Sequence, residues 1–566
     1  MNKQAVLHIP DSQYCYPIER NAVELRLRVS SEDEFDGVTA IYGNKYAYHL
    51  IRSEAPLKKN YSDGSFDYYT VTLLLKDVRL VYIFVLEQGG KKYYFSEDGI
   101  TETYDFDKAY YNAFQLPFIN TADIMPVVDW MRGAVFYNIF VDRFFRGNRE
   151  KDDSYINMEW GEIPHPKSFA GGDIKGITQK LDYLKDLGVT ALYLTPIFCS
   201  VSNHKYDIYD YFEIDPQFGS KHDLQELIGG AHSRGMRVML DAVFNHCSEK
   251  LPQFADVKEK GRRSAYFDWF LIDGDKPDPA KYNYQCFSFC SYMPKFNTSN
   301  PKVQEYLRKI AVYWVENFDI DGWRLDVSDE VSHDFWRGLR KAVKAVKPDC
   351  AIIGENWHDA HPFLCGDQYD GIMNYALTKA CLDYFAYGVF GAKAFADKLN
   401  ALYMRNSDQV NRMMMNLLDS HDTHRFYSLS NKNMDALICA LAVIFMHPGA
   451  AGVYYGTEIP LEGGYDPDCR RTMDWNAVQG NTRVKEMMAR LAQMRRHEAI
   501  RYGGVRFYAK DDIFVLERSH GNKTLRLNVS EHGGADIRQR GKILLCYNYK
   551  KDKTADGFSF VIEEES

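Results

Sequence analysis

The chain changes its hydrophobic rhythm along its length. Over roughly the first 115 residues apolar and polar positions alternate: Val23, Leu25, Leu27 and Val29 are interleaved with Glu24, Arg26 and Arg28, and the runs Val71-Thr72-Leu73-Leu74-Leu75 and Val81-Tyr82-Ile83-Phe84-Val85 follow after polar turns. A period of two is that of a strand with one face on a core, so these runs predict a β-sandwich. A linker from Leu116 to Trp130, carrying Pro117 and Pro126, ends this regime. From Gly133 onward short apolar runs alternate with helical patterns, the mark of a parallel sheet built from βα units. Candidate strands are Val135–Phe140, Ala191–Leu194, Val238–Leu240, Gly322–Leu325, Ile352–Ile353, Gly371–Met373, Met414–Leu417 and Gly452–Tyr455. Eight of them match a closed (β/α)₈ barrel.

The clearest helix between these strands is Val303 to Asn317, with Val303, Tyr306, Leu307, Ile310, Ala311, Trp314 and Val315 on one stripe and Pro301 near its start. The segment from Ser248 to Asn300 is too long for an ordinary βα connection and rich in aromatics, so it predicts a wall at the C-terminal mouth of the barrel. Alternation returns at Ile513-Phe514-Val515-Leu516 and Ile543-Leu544-Leu545. The expected α/β architecture is therefore a β-sandwich over 1–120, a TIM barrel over 121–247 and 301–500, an inserted domain over 248–300, and a small C-terminal β domain over 501–566.

Charge and composition narrow the partners. A formal charge of -9, without long like-charge blocks, argues against nucleic acid or an anionic membrane as the main partner. Aromatics at 14% suit a protein that stacks flat apolar faces, sugars among them. Eleven cysteines show no paired spacing, Cys286 and Cys290 have the wrong spacing for a zinc knuckle, and His421 and His424 form a common spacing with no companion ligands, so no metal is expected at either. Reduced thiols, an N-terminus without an apolar targeting core and no run of 18 apolar residues point to a soluble cytoplasmic protein.

Two carboxyls stand out. The strand period puts Arg324 and Asp326 on one face of Asp321-Gly322-Trp323-Arg324-Leu325-Asp326, and the guanidinium is expected to keep Asp326 ionised and nucleophilic. Glu355 ends the apolar run Ala351-Ile352-Ile353-Gly354 beside Trp357, a setting for a raised pKa and a general acid. Such a pair is the equipment of glycosidic bond cleavage. Asp241, Asn245 and His246 follow the third candidate strand, and His421 and Asp422 the seventh, so a barrel would bring all of them to one mouth.

These segments, Asp241-Ala242-Val243-Phe244-Asn245-His246, Gly322-Trp323-Arg324-Leu325-Asp326, Gly354-Glu355-Asn356-Trp357 and Ser420-His421-Asp422, resemble the four ordered motifs of the α-amylase family of glycoside hydrolases. Met293-Pro294-Lys295-Phe296-Asn297 and Val327-Ser328-Asp329-Glu330 resemble signatures of its neopullulanase, cyclomaltodextrinase and maltogenic amylase group, and the N-terminal module resembles the starch-binding type that group carries. The resemblance implies a nucleophile at Asp326, an acid and base at Glu355, and Asp422 binding ring hydroxyls. It also implies substrate contacts from His204, Tyr206, Asp207, Asp241, His246, Phe287, Phe289, Arg324, Asp329, Glu330, Trp357 and His421, with Tyr206 as a stacking platform and His246 and His421 donating hydrogen bonds. It further implies an oligosaccharide or cyclodextrin substrate, possible transfer to a sugar acceptor as well as hydrolysis, and a homodimer in which one N-terminal module covers the partner's barrel mouth. Competing readings are an α-glucosidase of small α-1,6 or other α-glucosides and a non-catalytic glycan-binding protein.

The chain departs from that group at its calcium site. Gly172-Asp173 is kept, but the turn reads Arg146-Gly147-Asn148-Arg149-Glu150-Lys151, with cations at Arg146 and Lys151 where a calcium ion and its oxygen ligands belong. No tight calcium is expected, with Lys151 able to supply the charge instead. Asp329, where the group often has Asn, adds a negative charge on the leaving-group side and bears on the balance between hydrolysis and transfer.

Overall fold

The computed structural model describes residues 1–480, 482–531, 541–549 and 557–565. The chain forms two compact units: Met1–Val127 with Phe390–Asn411 and Val505–Glu517, and Val128–Val389 with Arg412–Gly504 and Arg518–Ser566.

The first unit carries the expected sandwich. Strands Cys15–Glu19, Ala22–Ser30, Phe66–Leu74 and Lys58–Ser62 lie side by side in that order, and a second sheet is built around Gly37–Gly43 and Leu80–Gln88. Val23, Leu25, Leu27 and Val29 from one sheet meet Leu80, Tyr82, Phe84 and Leu86 from the other in a single buried cluster. The opposite row of the Ala22–Ser30 strand, which a simple sandwich would leave in water, is covered as well. Arg26 is 2% exposed and donates to Tyr16 Oη at 2.6 Å, Asn406 O at 2.7 Å and Asp408 Oδ1 at 2.6 Å. Asn400 donates to Ser62 O and Phe507 O, at 2.7 and 3.0 Å. The continuous divisions 301–500 and 501–566 drawn from the sequence therefore meet a different partition: 390–411 and 505–517 pack with the N-terminal strands, because a buried guanidinium on those strands needs partners that the sandwich alone does not supply.

The second unit is the barrel. Its strands are β1 (Val135–Ile139), β2 (Ala191–Leu194), β3 (Arg237–Ala242), β4 (Gly322–Leu325), β5 (Ala351–Gly354), β6 (Gly371–Ile372), β7 (Met415–Leu417) and β8 (Ala450–Tyr454). They are hydrogen-bonded in the order β6-β5-β4-β3-β2-β1-β8-β7, and a parallel bridge from Met373 to Met415 joins the two ends. Every strand found by its apolar run is present, shifted by at most two residues at either end. The helix after the insert spans Pro301–Phe318, capped by the Asn300 side chain at its start and by Asp319 at φ 55° at its end, and buries Val303, Leu307, Ile310, Ala311, Trp314 and Val315. Tyr306 of the expected stripe is only partly buried and packs its ring on Trp269 of the insert, 5.3 Å between centroids.

The insert itself is held by aromatic packing and single bridges rather than a sheet. Phe254 meets Phe270 and Tyr284 with ring centroids 4.7 and 5.5 Å apart, and isolated bridges tie His246 to Lys295 and Phe270 to Phe296. After the barrel, Lys523–Ser530 pairs antiparallel with Ser559–Glu565, which pairs with Lys542–Tyr547, so the expected C-terminal β structure is present. Among the described residues no helix is long and apolar enough to cross a membrane. All eleven cysteines are free thiols.

The buried Arg26 generates the first prediction. Asp408→Ala removes one charge-assisted bond to a guanidinium that cannot reach water, and is expected to destabilise the chain by about 1.5–3 kcal/mol. An unchanged thermal midpoint in calorimetry overturns this.

Candidate active site

Barrel strands deliver their last residues to one end, and the sequence places polar residues at or just after the ends of β3, β4, β5 and β7. Along β4, Trp323 and Leu325 turn outward and are fully buried, while Arg324 and Asp326 turn inward, where Arg324 Nη1 donates to Asp326 Oδ1 at 2.7 Å. The same nitrogen donates to Asp241 at 3.1 Å, from the end of β3. Arg324 Nη2 lies 2.8 Å from Glu355 Oε2, at the end of β5, and 3.9 Å from Asp422 Oδ2, after β7. The Glu355 contact is an ion-pair distance without hydrogen-bond geometry. One guanidinium thus faces four carboxyls.

The turn after Asp326 is strained. Val327 sits at φ 44° and ψ 46°, a left-handed conformation costly for a β-branched residue, and this aims its N–H at Glu355 Oε2, 3.0 Å away. Ser328 Oγ donates to Glu355 O at 2.6 Å. Lys205, at φ 63°, sets the turn before Tyr206 in the same way. No hydrophobic period reveals such turns, and neither Val327 nor Ser328 was expected at the site for its backbone role.

The charges differ in their settings. Burial pushes the Glu355 carboxyl up to about 7, partly opposed by Arg324 and reinforced by Asp422. Burial also pushes Asp326 up, with Arg324 opposing and with Glu355 and Asp241 adding to the rise. Arg324, expected to keep Asp326 ionised, does oppose the rise but is shared among the carboxyls, so Asp326 and Glu355 titrate as a pair. Within that pair the proton belongs on Glu355, because Asp326 has the well-formed hydrogen bond to Arg324 and Glu355 does not. Asp422 is held below the ordinary carboxylate range: burial opposes this, and His421 and Arg470 outweigh it. Arg470 was not identified from the sequence. It lies 3.3 Å from Asp422 Oδ1 and 2.9 Å from Asp466 Oδ1, and its Nε donates to His421 O at 2.8 Å.

Around this centre the expected residues separate into several kinds. Tyr206 is half-buried, its ring stacked on His421 at an interplanar angle of 7°, and its hydroxyl lies 2.6 Å from His421 Nε2 and 3.0 Å from Asp241 Oδ2. His421 Nε2 also lies 3.1 Å from Asp422 Oδ2, so that nitrogen is already shared and the donation to a sugar expected of it has a competitor; Nδ1 is buried and unbonded among the described residues. His246 stacks on Phe287, 4.8 Å between centroids, with its Nδ1 3.3 Å from Asn245 Nδ2 and its Nε2 without a hydrogen bond among the described residues. Burial lowers both histidines to about 3, so both are neutral at physiological pH. His204, also lowered to about 3 by burial, stacks beside Tyr206 at 5.9 Å.

Other expected positions differ in what their side chains already touch. Asp241 is 1% exposed and engaged by Tyr193 at 2.6 Å, Tyr206 and Arg324, so it anchors the groups around it. Asp207 is buried, and one of its oxygens accepts from the hydroxyls of Ser200 and Ser202, so it fixes the loop that carries Tyr206. Phe289 is 88% exposed, away from the ring contact that Phe287 makes. Trp357 lies flat on Tyr375, with centroids 3.8 Å apart, leaving its other face open. Glu330 pairs with Lys295 at 3.1 Å, and Asp329 lies 3.8 Å from His358.

At the position of the group's calcium site, Lys151 Nζ lies 3.0 Å from Asp173 Oδ2 and donates to Gly171 O at 2.7 Å and Gln217 O at 2.9 Å. Asn148 and Gly147 turn their backbone N–H groups to Asp173, and Arg146 turns away to Asp153 at 2.8 Å. An ammonium thus holds these oxygens.

The description "Alpha amylase, catalytic domain" matches residues 138–502, and "Alpha amylase, N-terminal ig-like domain" matches residues 1–120. The chain belongs to the α-amylase family. It is 41% identical to a cyclomaltodextrinase of Geobacillus thermopakistaniensis over 96% of this chain and 95% of that one. It is 37% identical to neopullulanase 2 of Thermoactinomyces vulgaris over 94% of each chain. A solved cyclomaltodextrinase structure superposes with a TM-score of 0.91, at 34% identity, covering 100% of this chain and 98% of that one. The expected family and fold are thus those of the chain, and it is a glycoside hydrolase.

Proposed function

We propose that the enzyme cleaves α-1,4-glucosidic bonds of cyclomaltodextrins, pullulan and short maltodextrins with retention of configuration. The observation that carries this is the Arg324 cluster, supported by relatives named for cyclomaltodextrin and pullulan. Asp326, bonded to Arg324, attacks the anomeric carbon as Glu355 gives its proton to the leaving oxygen; the resulting glycosyl ester is then opened by water or a sugar hydroxyl activated by Glu355. Asp422, kept ionised by His421 and Arg470, binds the ring hydroxyls, Tyr206 stacks under the sugar, and His246 donates from Nε2 to a hydroxyl. Phe287 and the open face of Trp357 receive the leaving sugar units.

The substrate preference follows from a homodimer in this reading. Tyr46, Leu50, Ile51, Tyr110 and Tyr111 of the first unit are 69%, 74%, 70%, 63% and 74% exposed, an apolar surface that a second copy would cover. The eleven free thiols fit a reducing cytoplasm. Lys151 takes the place of a structural calcium, its charge supplied by the chain itself.

Three measurements test this reading. The wild type is expected to show higher kcat/KM on γ-cyclodextrin and pullulan than on soluble starch, lost by at least about a thousandfold in Asp326→Asn, and to sediment at twice its 65.5 kDa chain mass. A monomer, or starch as the best substrate, removes the dimer-restricted reading, while activity confined to small α-1,6 glucosides favours an α-glucosidase. Because Glu355 must be protonated to act as acid and its carboxyl is raised to about 7, kcat/KM should fall as pH rises through about 7. A flat profile from pH 6 to 8.5 contradicts the assignment. Finally, chelator should leave activity and thermal midpoint unchanged and calorimetry should detect no micromolar calcium binding; either effect overturns the role given to Lys151.

A further inference from the structure

A second concave site lies in the barrel unit, outside the Arg324 cluster. The segments that follow β1 and β8, neighbouring strands, enclose a cleft of about 850 Å³ lined by Phe145, Arg149, Trp160, Arg471, Asp474 and Trp475, among others. This lies within the roughly 300–1,000 Å³ of ordinary ligand sites. None of the carboxyls that face Arg324 lines it.

Its chemistry is specific. The two indole N–H groups are spent on the main chain, Trp160 Nε1 on Met473 O at 2.8 Å and Trp475 Nε1 on Phe144 O at 2.6 Å. The rings are therefore held as fixed flat surfaces with no polar demand of their own, and Trp160 remains 38% exposed. Around them stand forked donors and carboxylates, the complement of vicinal hydroxyls. An anionic ligand is disfavoured: Arg471 is paired with Asp468 at 2.7 Å, Arg146 with Asp153 at 2.8 Å, and Glu159 and Asp474 bring negative charge to the rim. A purely apolar ligand would strip water from these charged groups and offer them no hydrogen bond in return. What remains is a neutral molecule with both flat apolar faces and many hydroxyls. Arg471 also adjoins Arg470, whose side chain reaches Asp422, so the cleft and the catalytic centre are one residue apart along the chain.

We propose that this cleft is an accessory site for a neutral α-glucan segment, stacked on Trp160 and hydrogen-bonded by Arg149 and Asp474, which retains longer chains beside the catalytic mouth. The inference rests on the α-glucan reading of the active site. Calorimetry with maltotriose on the Asp326→Asn protein separates the two, because it counts sites without turnover. Two binding events are expected, with one lost on adding Trp160→Ala and both kept on adding Trp160→Phe, which preserves the ring but not the indole hydrogen bond. In the active enzyme Trp160→Ala should raise KM for long maltodextrins about three- to tenfold, the scale of one aromatic contact, and leave maltotriose hydrolysis unchanged. A single binding event, or two that both survive Trp160→Ala, overturns the accessory site. Absence of maltotriose hydrolysis by the wild type instead overturns the reading of the active site and leaves the site count to be read independently.

Discussion

The barrel mouth depends on a shortage of positive charge. Arg324 is fully buried and faces Asp241, Asp326, Glu355 and Asp422, while Arg470 is divided between Asp422 and Asp466. Five carboxyls share two guanidiniums, and the histidines beside them are driven neutral by burial. Such a cluster cannot carry all its charges in a low-dielectric pocket, so a proton is retained on the carboxyl beside Arg324 that has neither a well-formed hydrogen bond to it nor a second cation. That carboxyl is Glu355. Burial, which the sequence setting at the end of an apolar run implied, raises the Glu355 carboxyl, and the sharing of one cation among several carboxyls leaves that rise only partly opposed.

The same shortage is useful to the reaction. With Glu355 protonated, the remaining carboxylates still outnumber the guanidiniums, and this residual negative charge is fixed in place before substrate arrives. A sugar ring that becomes positive at the transition state relieves it, whereas a neutral sugar in the ground state does not. That difference is the form of stabilisation that accelerates a step instead of merely binding substrate. Buried cations recur as fixed supports elsewhere in the unit. Lys151 holds Asp173, Gly171 and Gln217, and Lys205 bonds the Gln217 side chain at 2.5 Å and Asp215 at 2.9 Å while its own backbone sets the turn into Tyr206.

Much of this was legible in the chain. Apolar runs bounded by turns give all eight barrel strands, and the period of two on β4 gives the shared face of Arg324 and Asp326, because buried parallel strands leave the backbone few alternatives. What the pattern does not show is how side chains are spent once they arrive. Asp207 and Asp241 sit in motif segments, yet their oxygens are consumed by Ser200, Ser202, Tyr193 and Arg324, partners 5 to 83 residues away in the chain. Phe289 and Phe287 look equivalent two residues apart, but only Phe287 meets His246. Arg470 and the left-handed Val327 carry no periodic signal at all. Burial of Glu24 and Arg26 on the polar row of a strand likewise depends on residues 406–408, which no local window contains.

These misses share a cause that bears on how the site works. A strand pattern reports which face is apolar, and the barrel interior at its C-terminal end is not apolar: it is a layer of charged and hydroxyl groups satisfying one another. Within that layer each residue's role follows from which of its neighbours remains unsatisfied, and that is a property of the whole ring of strands. Asp326 and Glu355 come from adjacent strands with almost equal burial, and they differ chiefly in the quality of their contact with Arg324. The strained turn at Val327 places its N–H 3.0 Å from Glu355 Oε2, which orients that carboxyl and partly opposes the rise that burial causes, so a β-branched residue is held in a conformation costing roughly 1–3 kcal/mol where it helps to tune the acid.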